Sequence, residues 1–338
     1  MAPGPPTRRS GLRRILAGAA LLLLAAAAFT IPIPLFYEYL PGPVRDVEGL
    51  VEVREAATYS SEGRLYLTTV SVDIGVTLAE LVEGVFDRDD AIVLKNDVTG
   101  GASFEELEQQ QRREMEASKR SAREVALSAL GYGEPQGDGA KIIATLPDSP
   151  AAGVLREDDV VLAINGEPVS TSCEVGTAIS EAPVGEQVRL TLRRDGERTS
   201  VSVTTIENRQ EPGTSLVGIL LDDINYRFRP GIEVDFKTGE IAGPSAGLMF
   251  SLALYDRLTP DDLTAGRQIA GTGTISCDGG VGAIGGIEQK VAGAEKEGAE
   301  IFLAPVANLS DARTAAEDIE VVSVATFDEA IAYLEGLE

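Results

Sequence analysis

The sequence predicts a multidomain α+β chain: an N-terminal transmembrane helix, a small α+β region, a β-rich module and a C-terminal α+β domain. Three observations predict it. An apolar run follows four arginines near the N-terminus, strand and turn signals crowd into residues 131–208, and two glycine-rich turns, each leading an apolar helix, stand in the last third. At 338 residues the chain has room for about two globular domains and an anchor. The divisions are 1–14 as a basic cytoplasmic N-terminus, 15–36 as the transmembrane anchor, 37–130 as the α+β region, 131–208 as the β-rich module and 209–338 as the C-terminal domain.

Composition removes several function classes. The chain has no histidine, which excludes a Ser-His-Asp triad, a Cys-His dyad, His-ligated zinc and a histidine base together. Proton transfer must then run through a carboxylate, lysine, tyrosine, cysteine or water. A net charge of −25 argues against nucleic-acid partners, which need clustered Lys and Arg. Two cysteines make neither a disulfide framework nor a four-cysteine zinc site, and Cys173 and Cys277, in different modules, read as free thiols or small core residues. The GK[ST] ending of a phosphate-binding loop is absent, and no cofactor or metal is implied.

Arg8, Arg9, Arg13 and Arg14 precede the apolar run Ile15 to Phe29, which continues past Thr30 through Ile31 to Tyr39 with Pro32 and Pro34 inside. Ile15 to Phe36 is long enough to cross a bilayer, with Tyr37 and Tyr39 at the level of an aromatic belt. The arginines then stay in the cytoplasm and the rest is exported, so the catalytic part lies on the extracytoplasmic side of the cell membrane. A cleaved signal peptide ending at Ala26-Ala27-Ala28 is the other reading. We favour the retained anchor.

In the next region, Leu50 to Val72 reads as a β-hairpin turning at Ser61-Glu62-Gly63, and Val76 to Phe86 as a short helix. Ser103-Phe104-Glu105-Glu106 has the capping-box pattern and predicts a long helix carrying Leu107, Met115, Ala122 and Val125 on its apolar side. It ends before Gly131.

The β-rich module is read as a strand at Ala140–Leu146, a short helix opened by Ser149 to Gly153, a strand ending in the Asn165-Gly166 turn, a helix within Val169–Ala182, and two strands around Asp195-Gly196. The stretch "SPAAGVLREDDVVLAINGEPV" resembles the PDZ domains of bacterial proteases, with Asp158 standing where a glycine commonly precedes the Asp. The resemblance implies a groove that takes an extended peptide end by β-augmentation, with Gly131–Gly139 as the carboxylate-binding loop.

In the last third, Gly243-Pro244-Ser245-Ala246-Gly247 leads a helix with Leu248, Met249, Leu252 and Leu254. A serine at such a turn has an exposed hydroxyl, and the backbone N–H groups around Ser245 and Ala246 together with the helix dipole suit an oxyanion. Ser is also simply a good N-cap, and a Gly-rich turn also suits a phosphate. Further on, "IGGIEQKVAGAE" places Lys290 beside the apolar side of a helix. Of the six lysines, Lys290 alone is flanked by small and apolar residues. It must snorkel to water or give up its proton, and a neutral lysine is a base suited to a serine.

Together the two elements resemble the proteolytic domain of Lon-type serine proteases, which use a Ser–Lys dyad. The resemblance runs from about Leu216 to the C-terminus through "GPSAG", "AGTGTI", "IGGIEQK" and "GAEIFLAP". It implies Ser245 as nucleophile, Lys290 as general base and Thr272 as the auxiliary hydroxyl that holds the lysine. With the PDZ module and the anchor, the chain resembles membrane-anchored, PDZ-containing Lon-like proteases. It departs from cytoplasmic Lon in having no ATPase module and in Ala242, where an Asp is frequent; Asp235 or Glu240 is then the expected nearby helper. The expected function is an ATP-independent serine endopeptidase for unstructured or tail-exposed polypeptides, recruited by the PDZ groove through C-terminal tails. The competing reading is an inactive PDZ adaptor or peptide-binding scaffold. The family resemblance also suggests a homo-oligomer, a hexameric ring.

Overall fold

The computed structural model describes residues 29–83, 90–209, 213–239 and 241–337, with residues 16, 18 and 19. Half of the expected anchor, residues 15, 17 and 20–28, lies outside them. Among the described residues no helix is long and apolar enough to cross a membrane. The end of the expected span is not helical. Pro32 bridges Thr77, and Phe36–Pro41 forms a strand. Prolines inside the run favour extended over helical backbone. Tyr37 is buried and Tyr39 half-buried in that strand, so neither belongs to an aromatic belt.

Phe36–Pro41 is the centre of a three-stranded antiparallel sheet, between Val70–Asp73 and Ala91–Leu94. Short helices follow at Leu78–Glu83, as the spacing predicts, and at Lys95–Thr99. The long helix spans Phe104–Ala129. Ser103 accepts from the Glu106 N–H and the Glu106 carboxylate accepts from the Ser103 N–H, the two halves of the expected capping box.

Leu50 to Val72 is not a hairpin. Val51–Arg54 pairs antiparallel with Glu233–Phe236, and Arg64–Leu67 lies parallel to Gln268–Gly271. Both arms therefore pair with distant chain. The resulting five-stranded sheet runs Arg45–Asp46, Arg64–Leu67, Gln268–Gly271, Ile301–Pro305, Glu320–Val324. Ile301–Pro305 is buried at every position, the mark of a central parallel strand covered on both faces. One face carries the helix Gly247–Leu258, against which the long helix packs. Val47, Leu65, Met115 and Val125 share one core with Leu248, Phe250 and Phe327. Residues 47–67 and the long helix are thus part of the body that holds the C-terminal turns.

The β-rich module has its own core around Ile142, Val161, Leu190 and Val203. Its main sheet runs Glu197–Thr204, Gln187–Arg194, Val160–Ile164, Ala140–Thr145, Ile219–Asp223. Asn165 and Asp195 take positive φ before Gly166 and Gly196, as their turns require. Ser149 to Gly153 forms turns rather than a helix; Pro150 and the positive φ of Asp148 and Gly153 leave no regular helical stretch. The segment 131–139 continues along the Ala140–Thr145 side, with Gln136 bridged to Arg227 and Asp138 N–H bonded to the Ile224 carbonyl. It therefore does not lead into an edge strand. The edges of the sheet are Glu197–Thr204 and Ile219–Asp223; the latter is entered through Thr214–Gly218, and the helix Ser172–Ser180 packs beside it.

Cys173 and Cys277 are not free. They form a disulfide across a sequence separation of 104. It joins the first turn of the helix Ser172–Ser180 to the loop between Thr274–Ile275 and Val281–Gly282. The Thr177 hydroxyl adds a 2.8 Å bond to the Asp278 carboxylate. No local pattern announces such a pair, because tertiary docking alone brings the two loops together.

Candidate active site

The Ser245 turn begins at Gly243, whose φ of 89° and ψ of 156° are accessible only to glycine. Pro244–Ala246 makes one 3₁₀ turn, and the buried helix Gly247–Leu258 follows. The turn is braced on both sides. The Ser118 hydroxyl donates to the Pro244 carbonyl (2.9 Å) and the Gly243 N–H to the Gln111 carbonyl (3.2 Å), both from the long helix. On the other side the Ser245 carbonyl accepts from the Gly273 N–H at 2.9 Å and from the Thr272 hydroxyl at 3.0 Å. Ser245 remains half-buried at a cleft, while Ala246 is buried.

Lys290 sits in the helix Ile287–Glu297, which starts from Gly286 in the left-handed region (φ 68°). A Cβ on Gly286 would lie 2.6 Å from Val70 Cγ2, so glycine is needed for both conformation and space. The Lys290 side chain does not snorkel; the residue is 3% exposed. Its Nζ has three partners: Ser245 Oγ at 2.8 Å, Thr272 Oγ1 at 3.0 Å and the Thr68 carbonyl at 3.1 Å. Burial alone brings its pKa down from the usual amine range to about 7. Among the described residues no neighbouring carboxylate offsets that loss of solvation.

The partners' chemistry orients the amine. The Thr68 carbonyl can only accept. Thr272 has committed its proton to the Ser245 carbonyl, so it also accepts from Lys290. A neutral amine has two N–H donors and one lone pair. With both donors occupied by Thr68 and Thr272, the lone pair faces Ser245 Oγ. In this arrangement the amine can take a proton from the Ser245 hydroxyl.

The structure therefore brings Ser245, Lys290 and Thr272 into one constellation, with Ala246 beside it. Asp235 is elsewhere: it is exposed and ion-paired to Lys237 at 2.8 Å. Its carboxyl is held low by that partner and stays a surface anion. Glu240 lies outside the described residues. Sequence reasoning missed Thr68, which acts through its backbone from a strand end 222 residues before Lys290; a carbonyl leaves no residue-type signal. Among the described residues no group of three or more Cys, Asp or Glu has a metal-holding arrangement.

Ser245 and Lys290 line a cleft of about 870 Å³. The three-stranded sheet lines it through Tyr39, Val70 and Val72, and residues 237–239 and 241–246 line it as well. Val70, Met115 and Ile284 give the cleft an apolar part of its lining.

The fold and this constellation define a chain in which a PDZ domain is joined to a Lon-type proteolytic domain. Residues 101–205 match the PDZ domain family, and residues 230–334 match the C-terminal proteolytic domain of Lon protease (S16), a serine-type endopeptidase domain. Among curated proteins, the chain is 39% identical over 93 residues to a Lon protease of Roseiflexus castenholzii, covering 26% of this chain and 11% of that protein. It is 32% identical over 109 residues to Lon protease 2 of Bacillus subtilis, covering 32% and 18%. A probable periplasmic serine endoprotease DegP-like from Marinomonas is 34% identical over 86 residues, covering 25% and 18%. The chain thus spans less than a fifth of the length of these relatives. Among solved structures, the PDZ domain of an SdrC-like protein from Listeria innocua aligns over 27% of this chain and all of its own, at 25% identity and a TM-score of 0.24.

Proposed function

We propose that the chain is an ATP-independent serine endopeptidase in which Ser245 attacks the peptide carbonyl and Lys290 is the general base. The observation that carries this is the 2.8 Å contact between Ser245 Oγ and a buried amine whose pKa is brought to about 7. Neutral Lys290 takes the Ser245 proton as the Oγ–carbonyl bond forms. The backbone N–H groups at Ser245 and Ala246, at the start of a helix, hold the oxyanion. The ammonium of Lys290 then returns the proton to the leaving amine, and water, deprotonated by the same amine, releases the acyl group. Thr272 and the Thr68 carbonyl keep the amine aimed throughout.

Ser245→Ala and Lys290→Ala are each expected to abolish hydrolysis of an unstructured peptide while leaving the thermal melt nearly in place. Retained turnover in either variant would refute the assignment. A serine-reactive probe should label the native chain but not Ser245→Ala. It also separates this reading from an inactive PDZ scaffold, which would not be labelled.

The PDZ domain recruits substrates in this reading. An extended tail adds to the edge strand Ile219–Asp223, with its carboxylate toward Thr214–Gly218. A long peptide with a free C-terminus should then show a lower KM than the same peptide amidated, with kcat unchanged. Equal KM values would remove the recruiting role. The apolar run Ile15–Phe29 after four arginines anchors the chain in the cell membrane, with the cleft on the extracytoplasmic side. The Cys173–Cys277 disulfide supports that location, since such bonds persist outside the reducing cytoplasm.

A further inference from the structure

Besides Leu16, Tyr59 and Val72, six large apolar side chains of the N-terminal part are exposed to solvent among the described residues. Phe29, Ile31, Leu35, Ile74, Leu78 and Leu94 are between 36% and 64% exposed. The topology gathers them at one end of the three-stranded sheet. Phe36, which opens the central strand, is paired with Leu94 at the end of one neighbour, and Glu38 with Asp73 at the end of the other. Leu35 is adjacent to that pairing through the Lys95 N–H bond to its carbonyl. Pro32 and Ile33 run alongside Val76 and Thr77, which places Ile31 beside the segment holding Ile74 and Leu78. This is also the end from which the apolar run Ile15–Phe29 enters the fold.

We propose that this end of the sheet is a membrane-docking apex, seated in the interfacial layer of the bilayer, and that it sets the substrate class: peptide bonds close to a membrane surface. The proposal rests on the anchored-protease reading above. The occupant is lipid rather than a second copy because the patch is continuous in sequence with an apolar run behind four arginines. The same sheet connects the apex to the site. Tyr39, three residues along the strand from Phe36, lines the cleft that holds Ser245 and Lys290. At about 3.3 Å per residue, the cleft wall begins roughly 10 Å from the apex. A bond presented to Ser245 by an extended chain leaving the bilayer then lies within about ten residues of the lipid surface.

The test uses the full chain in phosphatidylcholine–phosphatidylglycerol vesicles. Because Cys173 and Cys277 are tied to each other, one introduced thiol can be labelled selectively with an environment-sensitive fluorophore. Leu35→Cys, Ile74→Cys and Leu94→Cys probe the apex, and Val184→Cys, exposed on the PDZ domain, is the control. Apex probes should be quenched several-fold more strongly than the control by acyl-chain spin-labelled lipid, and be shielded from aqueous iodide. Vesicle-bound protein whose apex probes remain fully open to iodide overturns the apex alone. Iodide shielding without lipid quenching, accompanied by probe–probe transfer between copies, overturns it in favour of self-association. Failure of the chain to float with vesicles overturns the anchored reading and the apex with it. In a second arm, lipid-tethered peptides with the cleavable bond about six residues from the tether should be cut several-fold faster than those with it thirty residues away. Ile74→Glu combined with Leu94→Glu should erase that preference while sparing hydrolysis of a soluble peptide; a preference that survives the double substitution overturns the proposal.

Discussion

The Thr272 hydroxyl gives its proton to the Ser245 carbonyl, 3.0 Å away, and its oxygen therefore receives an N–H from Lys290 at 3.0 Å. One side chain thus holds the turn of one partner and the amine of the other. Thr272→Val keeps the volume and removes both bonds. Hydrogen bonds to a charged or charge-developing group are worth about 1.5–3 kcal/mol, so kcat should fall roughly 10- to 100-fold. Thr272→Ser should restore most of it. Steady-state hydrolysis of a short peptide measures both, and full activity in Thr272→Val would show that Thr68 alone suffices to aim the amine.

The buried amine also fixes the sign of the pH dependence. Burial favours the neutral form, and the neutral form is the base. Activity should therefore be low where Lys290 is charged and rise as pH passes through about 7. The kcat/KM profile of a substrate lacking titratable groups should have a single ascending limb between about pH 6 and 8. A profile flat across that window contradicts a lysine base.

Legibility in the sequence divides along local and non-local lines. The capping box at Ser103, the Asn165-Gly166 and Asp195-Gly196 turns and the helix carrying Lys290 each write their structure within a few residues. The sequence singles out Ser245 and Lys290 by their turns, and their heavy atoms stand 2.8 Å apart. What stays hidden is pairing at long range. Arg64–Leu67 looks like a hairpin arm because its β-rich composition says nothing of its partner, Gln268–Gly271. The Thr68 carbonyl that follows this strand is hidden for the same reason. Cys173 and Cys277 show no motif, since the contact that unites them belongs to the docking of two modules.

That docking bond has a measurable weight. Closing a loop of about 100 residues constrains the unfolded chain by about 4–5 kcal/mol in the chain-entropy picture. Cys173→Ser with Cys277→Ser should lower the urea midpoint clearly, and a reductant should do the same to the native chain but not to the double variant. Hydrolysis of a short peptide should change little, because the disulfide lies at the far tip of the Thr274–Gly282 hairpin from Ser245. Equal midpoints with and without the bond would mean that packing alone holds the PDZ domain in place.

Gly286 tests whether the lysine helix can start anywhere else. Any side chain there must adopt φ 68° and meet Val70 Cγ2 at 2.6 Å. The left-handed conformation alone costs about 1–2 kcal/mol for a residue with a Cβ. Relief of the clash must move either the strand Val70–Asp73, which walls the cleft, or the first turn of the helix, which aims Lys290. Gly286→Ala should therefore lower both the denaturation midpoint and kcat. Gly298→Ala is the matched control: it has a left-handed φ of 88° at the other end of the same helix, with open space around it. It should lose a similar conformational energy yet keep its kcat. If both variants lose activity in proportion to stability, the helix start has no special hold on the amine; if only Gly286→Ala loses kcat, the geometry at Val70 is what keeps Lys290 in reach of Ser245.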